Sequence, residues 1–175
     1  MAKLLRLNMT DRTVALQDLP EAYKLLGGRG LTSAIIHDEV DPQCHALGPS
    51  NKLVIAPGIV TGTSAPTSSR LSVGSKSPLT GGIKEANAGT GFAPALASLG
   101  LHAIVVEGYP QAAGWWMVYI TWDASSGKPE VKWLPADEYA GRDLYEVFPQ
   151  LFDRFGKVSV AGWLTSIPDT LLTTH

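Results

Sequence analysis

Between Ala56 and Gly91 the chain reads APGIVTGTSAPTSSRLSVGSKSPLTGGIKEANAGTG. Two stretches rich in glycine, serine and threonine flank a short alternating segment that carries Arg70 and Lys76. Backbone without bulky side chains can bring several N–H groups close to an anion. Arg70 offers a planar fork suited to a phosphate, and Lys76 is a second positive charge on the same face. The second stretch runs into a helix that starts near Phe92, so the free N–H groups around Thr90 and Phe92 also favour an anion. The chemistry suggested is the holding of a phosphorylated group. The same residues are equally compatible with ordinary loops between strands, with Arg70 and Lys76 on a solvated face. No Gly-Lys-Ser/Thr follows at the spacing of a phosphate-binding loop. Gly27-Gly28-Arg29-Gly30 lies between helical segments rather than after a strand, which excludes a dinucleotide fingerprint.

The elements that must position these residues follow from periodicity. Residues 3–8 and 13–17 alternate around a polar turn and predict an N-terminal β-hairpin. Residues 20–26 predict a short helix with Pro20 in its first turn, stopped at Gly27-Gly28. Leu31, Ile35 and Ile36 predict a helix over 30–40 that ends before Asp41-Pro42. Strands are expected at 52–56, 70–76 and 102–107, with long shaped loops at 57–69 and 77–91 and a helix at 92–99. On the strand at 70–76, Leu71, Val73 and Ser75 share one face and Arg70, Ser72, Gly74 and Lys76 the other. An aromatic strand is expected at 115–122, paired with 131–134. Leu144, Val147, Leu151, Phe152 and Phe155 predict an amphipathic helix that Pro149 either kinks or splits. A short strand is expected at 157–161, followed by a tail without periodicity. Strands with intervening helices, but no regular βαβ alternation, predict an α+β fold with mostly antiparallel pairing.

Composition narrows the function class. With 14 Lys and Arg scattered along 175 residues and a net charge of −2, the electrostatic footprint of a nucleic-acid binder is missing. The sequence contains no long apolar run and no leader-like segment, so no membrane association and a cytoplasmic location are expected. A single cysteine, Cys44, excludes an internal disulfide framework and a cysteine-ligated iron–sulfur cluster built by this chain alone. Cys44-His45 is too few ligands for a metal site and reads as a free thiol in a loop. His37, His102 and the aromatic cluster Trp115, Trp116, Tyr119 and Trp122 read as structural or packing residues. Asp137, Glu138 and Asp143 read as helix-start carboxylates. No nucleophile–base pair is present, and no residue is assigned a catalytic role.

Five segments in order, LLRLNMTDRTV, LLGGRGLTSAIIHDEVDP, LGPSNKLVIAPGIVTGTSAP, SRLSVGSKSPLTGGIKEANAGTG and LASLGLHAIVVEG, resemble the aldehyde:ferredoxin oxidoreductase family. The resemblance is colinear over residues 3–108 and fades through 109–160. It implies the family's N-terminal domain, with two mostly antiparallel β-sheets and helices forming the base on which the cofactor sits. That cofactor is tungsten (or molybdenum) held between two molybdopterins, with a magnesium ion bridging the pterin phosphates. Arg70 matches an arginine that contacts the pterin. Asn87 matches the asparagine whose backbone carbonyl holds the magnesium ion, so Asn87→Ala need not abolish binding. Gly89 matches a glycine where the backbone approaches the cofactor, and Lys76 and Ser77 are supporting polar groups.

The resemblance also sets out what the chain does not carry. The cysteines of a four-iron–four-sulfur cluster, the second pterin-contacting segment and the later acidic motifs have no counterpart. After Val160-Ala161-Gly162 the continuation departs from the family. The expected organisation is a cofactor-cradling domain at 1–162 and a divergent tail at 163–175. The expected function is the tungstopterin-binding portion or subunit of an enzyme that oxidises an aldehyde to a carboxylic acid and passes electrons to ferredoxin, with the cluster supplied by a partner chain. The alternative is a non-catalytic module that dimerises with itself or docks to a longer relative.

Overall fold

The computed structural model describes residues 3–111, 113–156 and 158. It divides into two compact units, 1–111 and 112–175. The elements of the first are β1 (Lys3–Asn8), β2 (Thr13–Asp18), α1 (Gly28–Glu39), β3 (Lys52–Pro57), β4 (Arg70–Lys76), β5 (Ile83–Gly89), α2 (Phe92–Ser98) and β6 (Leu101–Glu107). Its six strands form one sheet in the order β2-β1-β6-β3-β4-β5. All neighbours pair antiparallel except β1 and β6, which run parallel. The expected α+β class with mostly antiparallel pairing is the class observed.

Leu31, Thr32, Ile35 and Ile36 of α1 are buried, and the core there adds Leu4, Val54, Ala56, Ala103 and Val105 from the sheet. The central strands read as apolar runs because α1 needs a continuous surface to cover. Four charges close one end of this layer. Arg6 Nη2 meets Glu39 Oε1 at 2.6 Å and Lys52 Nζ meets Glu39 Oε2 at 3.0 Å, while both cations also reach Glu107. Burial pushes the Glu39 carboxyl up, but the hydrogen bonds from Arg6 and Lys52 outweigh it and hold the group below its ordinary value.

Three local expectations are corrected. Residues 20–26 form only a single 3₁₀ turn, Glu21–Tyr23, because Gly27 and Gly28 follow too soon for a stable α-helix. Half of the expected second loop is strand β5, paired residue for residue with β4 from Ile83↔Lys76 to Gly89↔Arg70. Its sequence, rich in Ala, Asn and Gly, has low strand propensity, and the ladder with β4 overrides that preference. The third correction is to the split alternative at Pro149: in the second unit α3 (Leu144–Phe155) is a single helix with Pro149 inside it.

In that unit β7 (Trp116–Asp123) and β8 (Lys128–Pro135) form an antiparallel ribbon. Asp143 caps α3 by accepting from Glu146 N at 2.9 Å, the helix-start role expected of it. Ala136, Tyr139, Val147 and Leu151 form a small core, with Trp115, Met117, Phe148 and Phe155 packed against it. Tyr119 stacks on Phe155 with ring centroids 4.8 Å apart, so the aromatic strand serves packing. The strand expected at 157–161 and the tail at 163–175 lie outside the described residues, apart from residue 158.

Candidate functional site

The β4–β5 hairpin carries every residue that the sequence singles out, but it separates them into two groups. Arg70 stands at one end of β4 and Lys76 at the other, about 20 Å away at the usual rise per residue. Lys76 is 9% exposed, and its Nζ donates to the backbone carbonyls of Pro42 and Cys44, both at 2.6 Å. Its own N–H and C=O are held by the side chain of Asn51. Ser77 is also buried, and its Oγ accepts the N–H groups of Leu79 and Thr80, both at 3.2 Å, to shape the turn into β5. Both residues organise the loop 41–51 and the hairpin turn.

The face shared by Arg70, Ser72, Gly74 and Lys76 is accordingly not a solvated polar face. Ser72 is buried, and a Cβ placed on Gly74 would lie 2.7 Å from Thr32 Cβ, so α1 packs directly on this face. Only the Arg70 end escapes α1, and Arg70 is exposed.

At that end the ladder brings Arg70, Asn87 and Gly89 together: Arg70 pairs with Gly89 and Ser72 with Asn87. The direction of the main-chain groups follows from the hydrogen bonds around β4. Gly58 N donates to Arg70 O at 3.0 Å on the β3 side, and Thr90 N donates to Ser69 O at 3.3 Å on the β5 side. In an antiparallel ladder both polar groups of a residue point the same way, and successive residues alternate. Residues 69, 71 and 73 therefore face β5, and 70, 72 and 74 face β3. Opposite the latter, Gly89, Asn87 and Glu85 turn their N–H and C=O groups away from β4. As β5 is the last strand of the sheet among the described residues, these groups line its outer edge.

Gly89 fits this description in a second way. Its φ is outside the left-handed region, and a Cβ added there would meet nothing within 4 Å. The fold itself does not require a glycine at this position. What its smallness provides is open space at the position paired with Arg70.

The Asn87 side chain is held at both ends. Its Oδ1 accepts from Ser72 Oγ at 2.7 Å, and its Nδ2 donates to Glu85 Oε2 at 3.1 Å. The amide is thereby occupied within the protein, and the carbonyl that remains for an outside group is the main-chain one. Glu85 and Ser72 are the residues the sequence reading missed, since their partnership depends on cross-strand register.

The expected anion position at the start of the next helix is weaker. Helix α2 has seven residues, and the Thr90 hydroxyl already accepts from Phe92 N at 3.1 Å. The preceding loop 57–69 is fixed by turns and by a close approach of Gly62, whose φ is +84° and whose added Cβ would lie 2.6 Å from Ala97 Cβ. A cleft of about 270 Å³ opens between this loop and α2, lined by Pro57, Ile59, Thr61, Ala97, Leu101 and His102 among others. It does not include Arg70, Asn87 or Gly89. Its one titratable lining group is His102, held below the ordinary histidine value by burial, and no carboxylate, lysine, cysteine or serine accompanies it. The described residues contain no group of three or more His, Cys, Asp or Glu that could hold a metal ion. No described helix is long and apolar enough to cross a membrane.

Comparison with known proteins gives consistent results. Residues 4–163 match the family described as aldehyde ferredoxin oxidoreductase, N-terminal domain. Over 108 residues the chain is 47% identical to a tungsten-containing aldehyde ferredoxin oxidoreductase of Thermococcus kodakarensis, covering 61% of this chain and 18% of that protein. The proteins of the same description from Pyrococcus furiosus and Pyrococcus abyssi are 45% and 44% identical over the same length. The chain thus spans 18% of the length of the relatives it matches. Among solved structures, the active-site complex BamBC of benzoyl coenzyme A reductase, in complex with 1,5-dienoyl-CoA, superposes with a TM-score of 0.74 at 24% identity. That match covers 87% of this chain and 22% of the other, and it supports the fold.

Proposed function

Because the chain belongs to the aldehyde ferredoxin oxidoreductase family, we propose that it forms the part of such an enzyme that cradles a tungsten–pterin cofactor. The observation that carries the reading is the outer edge of β5, where the outward main-chain groups of Asn87 and Gly89 lie beside exposed Arg70. A magnesium ion prefers oxygen ligands and is commonly bound together with phosphates. The Asn87 carbonyl would supply one such oxygen, the Arg70 guanidinium would pair with a phosphate, and the bare backbone at Gly89 would admit the pterin. The donor set and the open space fit that group. Lys76 and Ser77 are left out of the cradle, because their polar atoms already serve the fold.

Oxidation of an aldehyde to its acid adds one oxygen from water and releases two electrons and two protons. The metal–pterin supplies that redox chemistry when bound. This chain's contribution is to bind and orient. Arg70 would fix a phosphate by paired N–H donors, and the rigid hairpin would hold the Asn87 carbonyl in one direction. The iron–sulfur cluster that takes the electrons onward would come from sequence beyond the family's N-terminal domain, on a partner chain or a longer product, with ferredoxin as acceptor.

The test is to purify the protein from its native host and measure tungsten, molybdenum, magnesium and iron per chain. Near-stoichiometric tungsten, with iron on a co-purifying subunit, is the expected result, and Arg70→Ala should lower the tungsten retained by at least about tenfold. A metal-free homo-oligomer would overturn the reading in favour of a stand-alone binding module.

A further inference from the structure

The sheet has a second edge, at β2, and it is built unlike the β5 edge. Among the described residues β2 pairs only with β1, from Thr13↔Asn8 to Asp18↔Lys3 without a register shift. Lys3 N donates to Gly100 O at 3.1 Å and Met9 N to Glu107 O at 2.7 Å, both on the β6 side of β1. The register shift between β1 and β6 inserts His102 on β6 and leaves the alternation along β1 intact. Lys3, Leu5 and Leu7 therefore face β6, and Leu4, Arg6 and Asn8 face β2. Their partners Gln17, Ala15 and Thr13 direct their main-chain groups to β1. Val14, Leu16 and Asp18 turn theirs outward.

Exposed edges are normally guarded by lysine, proline, a bulge or a very short strand. The stretch Thr13–Gln17 has no charge, no Pro and no Gly, and it includes the strand-favouring residues Thr13 and Val14. Val14 is 39% exposed. The opposite edge, β5, carries Lys84, Glu85 and Gly89. An unguarded row of outward N–H and C=O groups accepts another strand, and the order of side chains says which one. Exposed Arg12 stands just before β2, and Asp18 at its end keeps 69% exposure beside Lys3. A parallel copy of β2 would set like charges together, whereas an antiparallel copy sets opposite charges together. Hydrogen-bonded pairs must form between outward residues, which leaves two registers near the middle of the strand. In one, Val14 faces Leu16 of the second copy and Ala15 lies on the two-fold axis. In the other, Leu16 faces Leu16 and Val14 meets Asp18. Only the first sets apolar against apolar, and it also brings Arg12 beside Asp18 of the second copy.

We propose that β2 is a self-association edge: two copies of this chain pair β2 with β2, antiparallel about a two-fold axis at Ala15, and join their sheets into one. The contact is isologous, so the same residues serve both copies. Val14 and Leu16 exchange main-chain hydrogen bonds with the second copy, about four in all. A single strand pair buries little side-chain surface, so the dimer is weak and concentration-dependent. In each copy β5 lies at the far edge of the sheet, which leaves the Arg70 end open. Dimerisation through β2 is therefore compatible with a bound cofactor and does not depend on the cofactor reading.

The experiment is sedimentation velocity of the full chain up to roughly millimolar concentration, with amide hydrogen exchange followed over the same range. The expected result is a monomer–dimer equilibrium in which the Val14 and Leu16 amides gain protection as concentration rises. Val14→Pro removes an outward N–H that β1 does not use, a change that an edge strand tolerates. It should weaken dimerisation by about tenfold or more, since each copy loses a donor. If Val14→Pro loosens the β1–β2 ladder, seen as faster exchange at Thr13, Ala15 and Gln17, Val14→Lys decides. A lysine guards the edge without altering the backbone and should weaken the dimer as well. A chain that stays monomeric throughout overturns the proposal, whether the edge stays bare or another segment of the chain occupies it. So does a dimer whose Val14 and Leu16 amides exchange as fast as in the dilute chain. A dimer as strong in a folded variant as in the native chain overturns it too.

Discussion

The two ends of strand β4 carry the same kind of residue and put it to opposite uses. Arg70 and Lys76 sit six positions apart on one face, and each is a cation beside a glycine-bearing turn. At the Lys76 end the protein consumes the charge: two main-chain carbonyls accept from Lys76, the Asn51 side chain holds its N–H and C=O, and Ser77 shapes the turn that follows. At the Arg70 end α1 no longer covers the face, Gly89 leaves an opening, and among the described residues no further strand pairs with the edge of β5. The difference teaches that a cation in a glycine- and serine-rich segment is a ligand candidate only where the fold has not already used it.

That contrast predicts different responses to mutation. Lys76→Ala should have the largest effect on stability. Losing a charged donor that serves two main-chain carbonyls should cost about 2–3 kcal/mol, measured as a shift in the urea midpoint followed by tryptophan fluorescence. Gly74→Ala comes next, since the added methyl must displace Thr32; overpacking of this kind costs about 1–3 kcal/mol. If either substitution proves neutral, the covered face is not as tightly filled as the distances imply.

The cluster of Arg6, Glu39, Lys52 and Glu107 extends the test to pH. The folded state holds the Glu39 carboxyl below the ordinary 4.5, so the unfolded chain takes up a proton first as pH falls. Stability from this group is present above 4.5 and is lost as pH falls through the lower folded value. Glu39→Gln should flatten that acid limb in unfolding curves recorded from neutral pH downward. An unchanged limb would show that the cluster does not couple folding to pH.

The smallest stability effects are expected at the open end. Arg70→Ala and Gly89→Ala should each leave the unfolding free energy, read from urea curves, within about 0.5 kcal/mol of the native chain. A marked loss in either would mean that this end is also consumed by the fold, and the contrast would collapse.

The hairpin at the N-terminus, the strand Arg70–Lys76 and the helix α1 were legible in the sequence because alternation and helical spacing of apolar residues directly reflect which face is buried. Strand β5 was not, because its Ala, Asn and Gly residues carry no strand signal of their own. It exists through pairing with β4. Pro149 left a kinked helix and two separate pieces as alternatives, and the fold forms one helix. Of the candidate site, Arg70, Asn87 and Gly89 were reachable through an ordered resemblance, whereas Glu85 and Ser72 emerge only when register sets them around Asn87.

The sequence by itself determined the family, the fold class and the residue types available for holding a phosphorylated, cation-bearing group. These are properties of order and composition along the chain. Among the described residues, the tertiary structure alone decided which of Arg70 and Lys76 the fold has not used and which carbonyls of β5 face outward. Those outcomes depend on the α1 contact with one face of β4 and on the alternating direction of main-chain groups across the β4–β5 ladder. Neither can be read from residues taken one segment at a time.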